Sequence, residues 1–406
     1  MKVLAINCGS STLKFQLFEL EENDRGQGQE RRLARGVVDG IGTRGILTFT
    51  IKDVDLLREA VSFADHGEAT LRVLGWLESS DLLKHDAPWA LGHRVVHGGS
   101  RFTQAAIVDD QVLAAIESVA ELAPLHNEPA LQAIYAARAV LGPEVPMVAV
   151  FDTAFHSGLP ERASTYAIPL NLATRYQIRR YGFHGIAHRY MTERYGVITS
   201  TPAEQTKLIT LQLGNGCSVA AVTGGRSVDT SMGFTPLEGL MMGTRSGDLD
   251  PALPGLLASR ERVEIAEVER WLNKRSGLLG VSGRSRDMRE LLQAERQGDS
   301  RAELAVEMFC YRARKYIGAY LAILGGTDAI VFGGGIGENA PTIRERICSG
   351  MGWCGLRLEE DRNSKVVGSE ERISADDAKV HAYVIPVDEA VLIARDTVRC
   401  LRGQRS

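Results

Sequence analysis

A glycine-rich segment at residues 228–251 contains Arg245, a residue suited to binding a small anion. The segment has several acidic residues and one basic residue, and its apolar positions follow neither a helical nor a strand period. Such a segment cannot bury a regular face, so we expect its residues to form a site. A guanidinium group donates hydrogen bonds to the oxygens of an anion, and small Gly, Ser and Thr neighbours let a ligand approach. An ordered surface loop is the alternative.

A second arginine, Arg94, lies among apolar residues in the stretch 91–99. An arginine in such surroundings must be paired with an acid or bind an anion. Together with Arg245 it could clamp one small anionic substrate from two sides. A structural ion pair is the competing interpretation.

Two carboxylates follow short apolar runs that are typical of buried strands. Asp152 comes after residues 147–151, and Glu389 comes after residues 384–388. In open α/β sheets ligands bind beyond the carboxyl ends of strands, and carboxylates there could hold Mg²⁺ directly or through water. Helix caps at Asp152 and Asp388 are the alternative.

Two histidine pairs, His93 with His97 and His184 with His188, have the i, i+4 spacing of zinc ligands. Glycines surround both pairs and no H-E-x-x-H motif occurs, which argues against zinc. His184 lies in an aromatic and basic stretch, where it could donate to a charged oxygen. A hydrogen-bonded core histidine is the alternative.

Three glycine turns each follow an apolar run, and their backbone N–H groups could cradle phosphate oxygens. No P-loop and no clean G-x-G-x-x-G motif is present, so simple hairpins remain the alternative for each turn. Lys14 could add a point charge beside the first turn. The three turns are residues 8–11, 214–218 and 333–337.

The periodicity predicts elements that would position these residues in an α/β chain. Strand–turn–strand units at 2–20 and 207–223 resemble each other, which indicates two related α/β domains. We interpret residues 21–35 as a solvated hairpin tip. Further strands are predicted at 36–52, 147–151, 329–332 and 382–386, and helices at 111–120, 128–141, 302–324 and 390–400.

The composition is that of a globular protein with two domains: 406 residues, 44% hydrophobic and 24% charged, with a net charge of −4. Nothing in this balance recruits nucleic acid or an anionic membrane. The six cysteines are scattered without a C-x-x-C pair, which fits a reducing cytosol. The apolar start is too short for a signal peptide, and no run approaches a membrane span.

Taken in order, nine stretches of the chain resemble the acetate kinases nearly end to end. The match is highly specific because it depends on many motifs in sequence. The stretches are Asn7–Phe15, Gly92–Gly99, Ala123–Asn127, Val150–His156, Arg180–Gly185, Leu213–Gly216, residues 229–251, Ser276–Ser282 and Gly335–Asn339.

The resemblance implies two duplicated actin-like (ribonuclease H-like) α/β domains with ATP and Mg²⁺ in the cleft between them. It implies an acyl-substrate domain of residues 1–152 plus about 388–406, and a nucleotide-binding domain of residues 153–387. The implied activity is reversible phosphoryl transfer between ATP and acetate, which gives acetyl phosphate. The metal would be Mg²⁺ or Mn²⁺, and the enzyme would be a cytoplasmic homodimer.

The resemblance also assigns roles to individual residues. Asn7 and Glu389 would serve the metal, Arg94 the acetate carboxylate, and Asp152 would be the acidic catalytic residue. His184 and Arg245 would stabilise the transition state. A small apolar pocket would take the methyl group: Val96, Leu125, Phe183 and Pro236. The nucleotide and its phosphates would meet Ser10, Thr12, Lys14, Gln212, Leu213, Gly214, Asn215, Gly216, Asp287, Met288, Arg289, Gly335, Ile336, Gly337, Glu338 and Asn339.

Several positions depart from the family pattern without removing a named catalytic residue. Gln212 stands where members usually have His, so a phosphate contact there would lack charge. The other departures are Thr12, Ser100–Arg101, Gly333 and Ala390.

Acetate is ionised at neutral pH, because its pKa is close to the value of about 4.3 for Glu. No general base is needed, so we expect Asp152 to position the metal or to orient Arg94. Propionate or butyrate kinases would share this site. The sequence also leaves open a nucleotide-driven switch related to actin or chaperone ATPases, and an inactive homologue.

Overall fold

The computed structural model describes residues 1–22, 28–51, 54–80, 82–83, 89–120 and 124–403. Within these ranges the side chains of residues 22, 28–29, 55–56 and 124–126 lie outside the description. The chain divides into two compact units, Met1–Ser157 with Asp388–Ser406, and Gly158–Val387. Across the described ranges, none of the helices combines the length and the apolar character that a bilayer crossing requires.

Each unit is built on one mixed sheet. The first sheet has the order β5-β4-β3-β2-β1-β6-β8-β7 and the second the order β11-β10-β9-β12-β14-β13. The strands are β1 Lys2–Cys8, β2 Thr12–Glu22, β3 Gly28–Asp39, β4 Arg44–Ile51, β5 Val54–Ser62, β6 Trp89–Val95, β7 Ala106–Ile107, β8 Met147–Phe151, β9 Lys207–Leu213, β10 Cys217–Thr223, β11 Arg226–Thr230, β12 Ala329–Gly333, β13 Glu371–Arg372 and β14 His381–Val384.

Helices connect these strands and begin and end where the local sequence dictates. The carboxylate of Asp299 accepts from the first N–H groups of the longest helix, and Gly325 ends it with φ = 64°. The helices are α1 His66–Ser79, α2 Asp110–Ser118, α3 Pro124–Leu141, α4 Glu161–Ser164, α5 Leu170–Arg175, α6 Gly185–Thr199, α7 Leu253–Glu261, α8 Ile265–Lys274, α9 Gly277–Ser282, α10 Met288–Arg296, α11 Ser300–Leu324, α12 Gly334–Asn339, α13 Pro341–Cys348, α14 Glu360–Lys365 and α15 Glu389–Leu401.

The two sheets repeat one arrangement. In the first unit β1 pairs antiparallel with β2 and parallel with β6, which pairs parallel with β8. In the second unit β9 pairs antiparallel with β10 and parallel with β12, which pairs parallel with β14. The repetition therefore extends beyond the two strand–turn–strand units to the parallel strands beside them.

The core explains the strand patterns. Leu13, Phe15 and Leu17 alternate into the first core, where Phe15 and Phe49 meet edge to face with ring centroids 5.3 Å apart. By contrast, β8 and β12 are buried at every position, as expected for central parallel strands. The carboxyl ends of these central strands carry the candidate site residues.

Most predicted elements are confirmed, with three corrections. Glu389 does not follow a strand directly, because β14 ends at Val384 and Glu389 is the first residue of α15. Residues 21–22 and 28–35 are not part of a hairpin tip: they belong to β2 and β3. In β3 the exposed Arg31, Arg32 and Arg35 lie on the solvated side of a sheet that buries Ala34. Residues 23–27 of the predicted tip lie outside the described residues. The glycines after β12 form a helix, α12, rather than a turn: Gly334 takes φ = 75° at its start, and Gly335–Asn339 then continue helically.

Candidate active site

A chain of four polar side chains joins the strand ends of the first unit. Asn7 lies near the end of β1 next to β6, which carries Arg94, and Asp152 directly follows β8. Arg94 donates from Nε and Nη2 to the two carboxylate oxygens of Asp152, with 3.0 Å between Nε and Oδ1. Its Nη1 donates to Asn7 Oδ1 at 2.9 Å, and Asn7 Nδ2 donates to Glu389 Oε2 at 2.7 Å.

The Arg94–Asp152 pair is almost wholly removed from water. The Asp152 side chain has no exposed surface and the Arg94 side chain is 13% exposed. Burial would lower the pKa of Arg94, but Asp152 and Glu389 outweigh it and the pKa lies above its ordinary value. Three of the five guanidinium N–H groups bond to described residues, so two remain for a ligand. Asp152 is therefore the partner that orients Arg94 and not a helix cap.

Glu389 lies at one end of this series of hydrogen-bonded side chains. Burial raises its pKa, and the positive charges of Arg94 and Lys14 oppose that rise. Its Oε2 accepts from Asn7, whereas none of the hydrogen bonds in the described ranges reaches its Oε1. Lys14 stands opposite Asn7 in the β1–β2 pair and is exposed. A carboxylate oxygen at the start of α15 and an ammonium group on β2 are thus available to a metal and to phosphate.

The turn between β1 and β2 is closed by its own backbone and by a histidine. Gly9 N donates to Thr12 O at 2.8 Å, and His66 Nε2 lies 2.8 Å from Gly9 O. Ser10 is exposed and Thr12 half-buried in this turn. His66 and the two polar side chains of the turn therefore share one end of the first sheet.

The loop that follows β6 is held by Asn127, which is fully buried. Asn127 Oδ1 accepts from His97 N at 2.9 Å and its Nδ2 donates to His97 O at 3.0 Å. Gly98 N donates to Thr153 Oγ1 at 3.1 Å. This clamp fixes the backbone beside buried Val96, one of the residues predicted for the methyl pocket.

The second unit brings His184 and Arg245 together over the turn between β9 and β10. A Cβ placed on Gly216 would lie 3.4 Å from His184 Nε2 and 3.6 Å from Arg245 Nη1. Glycine therefore keeps the point where both groups meet free of a side chain, since even a methyl group would be tight there. His184 itself takes φ = 56° immediately before α6, a conformation that non-glycine residues rarely adopt.

The segment that carries Arg245 is fastened at several points. Arg180 Nη1 donates to the carbonyls of Thr230, Ser231 and Met232, and its Nη2 pairs with Glu238. Arg245 Nη1 donates to Pro236 O at 3.1 Å. This long loop without regular structure is held by hydrogen bonds to its own carbonyls and by buried apolar residues such as Met232, Leu240 and Met242.

The same segment is tied to the glycine turn and, through its own Asp248, to α11. Gly243 N donates to Asn215 O at 3.0 Å. Asp248 Oδ1 accepts from Gly239 N at 2.9 Å and its Oδ2 accepts from Tyr316 at 2.7 Å. The loop and the turn at 214–216 therefore hold one another in register.

Two of the three predicted nucleotide segments are neighbours. Gly333 pairs with Gln212, and a Cβ on Gly334 would lie 2.6 Å from Leu213 O, so only glycine permits this close approach. Glu338 turns back to accept from Gly334 N at 2.7 Å, while Gly335 and Asn339 are exposed. The turn 212–216 and the helix 334–339 thus form one surface.

The third predicted segment, 287–289, has a local structural role. Asp287 accepts from Arg289 N at 2.9 Å and caps α10, and its side chain pairs with the Arg289 guanidinium. That hydrogen bond lowers the pKa of Asp287. Met288 is buried. The described hydrogen bonds do not join this segment to 212–216.

Gln212 offers a test of whether the turn fits a ligand. Its Oε1 is buried and has no hydrogen-bond partner among the described residues. A buried amide oxygen without a donor is costly unless a ligand or water supplies one. The turn is therefore incomplete on its own in the way expected of a binding surface.

The residues predicted for the methyl pocket lie in different parts of the chain. Val96 is buried in the first unit, and Phe183 is buried in the second, where Pro236 is half-buried. Leu125 lies in α3, but its side chain lies outside the described residues. The pocket stays a prediction.

Several residues that support the site are not predicted from the sequence. Asn127, His66, Arg180 and Ser218 hold site residues through long-range contacts, and nothing in local periodicity marks them. The i, i+4 spacing of His184 and His188 is one available signal, since both rings reach Ser218 Oγ at 2.8 Å. The spacing brings both imidazoles to one serine hydroxyl.

The chain matches the Acetokinase family model over residues 2–395. It is 49% identical to the acetate kinase of Solibacter usitatus, and the alignment covers 100% of this chain and 99% of that protein. The structure is similar to that of Porphyromonas gingivalis acetate kinase, with a TM-score of 0.89, 40% identity and coverage of 98% and 99% of the two chains. It is also similar to a propionate kinase from Francisella tularensis, with a TM-score of 0.87, 37% identity and coverage of 97% and 98%.

Proposed function

Because this chain belongs to the Acetokinase family and has its α/β fold of two duplicated actin-like domains, we propose that it phosphorylates acetate reversibly with ATP. Kinases of this family use ATP and ADP and transfer the phosphoryl group to a carboxyl group. One observation carries the assignment of the acceptor site: Arg94 is buried, oriented by Asp152, and keeps two N–H groups for a carboxylate.

The acceptor needs no deprotonation, because a carboxylic acid with a pKa of about 4.3 is ionised at neutral pH. Asp152 therefore acts by orienting Arg94 and not as a base. The two carboxylate oxygens of Asp152 accept from Nε and Nη2 of Arg94, and the N–H groups that do not bond to protein are left for the substrate. We propose that these groups hold the acetate carboxylate, with Val96, Leu125, Phe183 and Pro236 around the methyl group.

The main barrier is bringing an anionic carboxylate to an anionic phosphoryl group. Preorganised positive groups lower such a barrier because they need no reorientation during the reaction. We propose that His184 and Arg245, which converge on the space beside Gly216, stabilise the charge of the transferring phosphoryl group. The turn 212–216, the helix 334–339 and residues 287–289 would hold the nucleotide, and Ser10, Thr12 and Lys14 would contact phosphate.

We propose Mg²⁺ as the metal, with Mn²⁺ as a substitute, at Glu389 and Asn7. Mg²⁺ takes one or two protein oxygens and completes its shell with water and phosphates. The open Oε1 of Glu389 fits this requirement, and within the described ranges no three His, Cys, Asp or Glu side chains form a larger metal-binding group. The metal would neutralise phosphate charge.

The remaining assignments follow the resemblance. We propose that residues 1–152 with 388–406 bind the acyl substrate and that residues 153–387 bind the nucleotide. We propose a homodimer, supported by exposed apolar side chains at Ile168, Leu170 and Tyr176. Light scattering of the wild type and Leu170→Glu tests the dimer.

A cytoplasmic location is supported by the six cysteines, all of them free thiols.

The reaction itself is tested by trapping acyl phosphate with hydroxylamine. Purified protein is incubated with ATP, Mg²⁺ and either acetate, propionate or butyrate. We expect acetyl hydroxamate to form fastest, with propionate disfavoured by about 10- to 200-fold per added methylene. A higher kcat/KM for propionate would make the chain a propionate kinase. ATP hydrolysis that is independent of every carboxylate, without hydroxamate, would reject the proposal in favour of a switch ATPase.

A further inference from the structure

A continuous chain of hydrogen bonds leads from His184 into the core of the second unit. His184 Nδ1 lies 2.8 Å from Ser218 Oγ, and the same oxygen lies 2.8 Å from His188 Nε2. His188 Nδ1 in turn lies 2.7 Å from Thr210 Oγ1. Thr210, Ser218 and His188 are fully buried, whereas His184 is half-buried.

The strands and the helix place these four groups on facing surfaces. Thr210 and Gln212 lie on one face of β9, and Ser218 stands opposite Gln212 on β10. His184 precedes α6 and His188 lies in its first turn, so both rings point to the same side of the helix. The chain therefore spans the contact between a helix end and the sheet.

The direction of the hydrogen bonds follows from the hydroxyl of Thr210. In the described part of the chain, His188 Nδ1 is the one acceptor within reach of the Thr210 hydroxyl. With that proton given to Nδ1, a neutral His188 carries its own proton on Nε2 and donates it to Ser218 Oγ. The Ser218 hydroxyl then donates to His184 Nδ1, which leaves the proton of a neutral His184 on Nε2.

We propose that Thr210, His188 and Ser218 are positioning residues that fix His184 as the Nε2–H tautomer. Nε2 is the atom that lies beside Gly216 near Arg245, so the tautomer makes it a hydrogen-bond donor where the phosphoryl group would be stabilised. The other tautomer would place a lone pair there, which repels an anionic oxygen. The catalytic consequence rests on the proposed function, whereas the tautomer itself does not.

The tautomer is measured directly by NMR on full-length protein labelled with ¹⁵N-histidine, without substrate, at pH 8, where an ordinary imidazole is neutral. Loss of a signal in His184→Gln assigns the resonance. We expect the wild type to show protonated Nε2 and unprotonated Nδ1 at His184. We expect Ser218→Ala and Thr210→Val to give a mixture, and Thr210→Ser to restore the single form. A protonated Nδ1 in the wild type, or an unchanged spectrum in both variants, would overturn the proposal.

Kinetics provide a second readout. We expect Ser218→Ala to lower kcat by about 10- to 100-fold with little change in the KM for ATP, by analogy with partners that orient metal-bound histidines. Ser227→Ala removes another buried hydroxyl from the neighbouring strand β11 and should leave kcat nearly unchanged. Equal losses in both variants would show a packing effect and contradict the positioning role. Should Ser218→Ala fail to fold, Thr210→Val, which preserves side-chain shape, carries both tests.

Discussion

Replacing Gly216 by alanine tests the space in which His184 and Arg245 meet. The new Cβ would lie 3.3 Å from His184 Cε1, 3.4 Å from His184 Nε2 and 3.6 Å from Arg245 Nη1. The distance to Cε1 is tighter than ordinary contacts of a Cβ, so the imidazole must shift by a few tenths of an ångström. Gly216 does not have a positive φ, so the backbone accepts alanine without strain.

Two opposing terms keep the stability of Gly216→Ala close to that of the wild type. Alanine reduces the entropy of the unfolded chain, which stabilises by about 0.4–1 kcal/mol. The mild overpacking costs about 1 kcal/mol. Activity should respond more strongly, because a misplacement of about 1 Å at reacting groups costs about 10²-fold in rate. We therefore expect kcat to fall by about 10- to 100-fold, a range estimated from the same dependence, with the unfolding free energy changed by less than about 1 kcal/mol.

The assay is steady-state acyl phosphate formation at saturating ATP, with urea unfolding as the measure of stability. Gly214→Ala is the graded comparison, since its Cβ would meet only Gly216 O at 3.5 Å and should cost less activity. Gly352→Ala, with no atom within 4 Å of the added Cβ, controls for the substitution itself. Equal rates for Gly216→Ala and Gly352→Ala would refute the claim that the phosphoryl group is stabilised in this space.

Two further predictions concern the first unit. Asp152→Asn puts a neutral amide against Arg94. We therefore expect a higher KM for acetate, a lower kcat and a loss of about 3 kcal/mol in unfolding free energy. Unchanged acetate kinetics in a folded variant would reject Asp152 as the group that orients Arg94. His93 is buried, and neither of its ring nitrogens has a hydrogen-bond partner among the described residues. Burial lowers its pKa from 6.5 to about 3, so at pH 5 only the unfolded chain binds the proton and stability falls as the pH drops below 6.5. Between pH 7 and pH 5 the wild type should lose about 2 kcal/mol more than His93→Gln in the urea transition of this unit, and equal losses would contradict the buried, neutral state of His93.

Short-range patterns are sufficient to predict most elements of the fold. The apolar run of β8 and the helical spacing of α11 each correspond to an element within two residues of the predicted bounds. The predicted hairpin tip is wrong at residues 28–35 because a strand with one solvated face can be highly charged and still pair along its length. The glycines after β12 favour a turn because glycine is a weak helix former. In the structure they begin a helix, and Gly334 must be glycine because a Cβ there would lie 2.6 Å from Leu213 O.

The candidate site, like the fold, is only partly predictable from the sequence. Arg94, Asp152 and Glu389 are recognisable as charged residues within or after apolar runs, and the structure joins them through Asn7. The supporting contacts are not recognisable, because they join distant positions: Asn127 holds His97, and Ser218 connects two imidazoles. Such partners depend on register and on helix placement, which single-sequence periodicity does not report.

Acetate kinetics of Arg245→Ala test the central claim most directly, namely that preorganised positive charge on the second unit stabilises the transferring phosphoryl group. Arginines that act on phosphoryl transfer contribute about 10³-fold or more to kcat. We predict a loss of about this size in kcat with a KM for acetate within a few-fold of the wild type, an estimate that assumes the same transition-state role. A variant with normal kcat and only a raised KM for acetate would contradict the account.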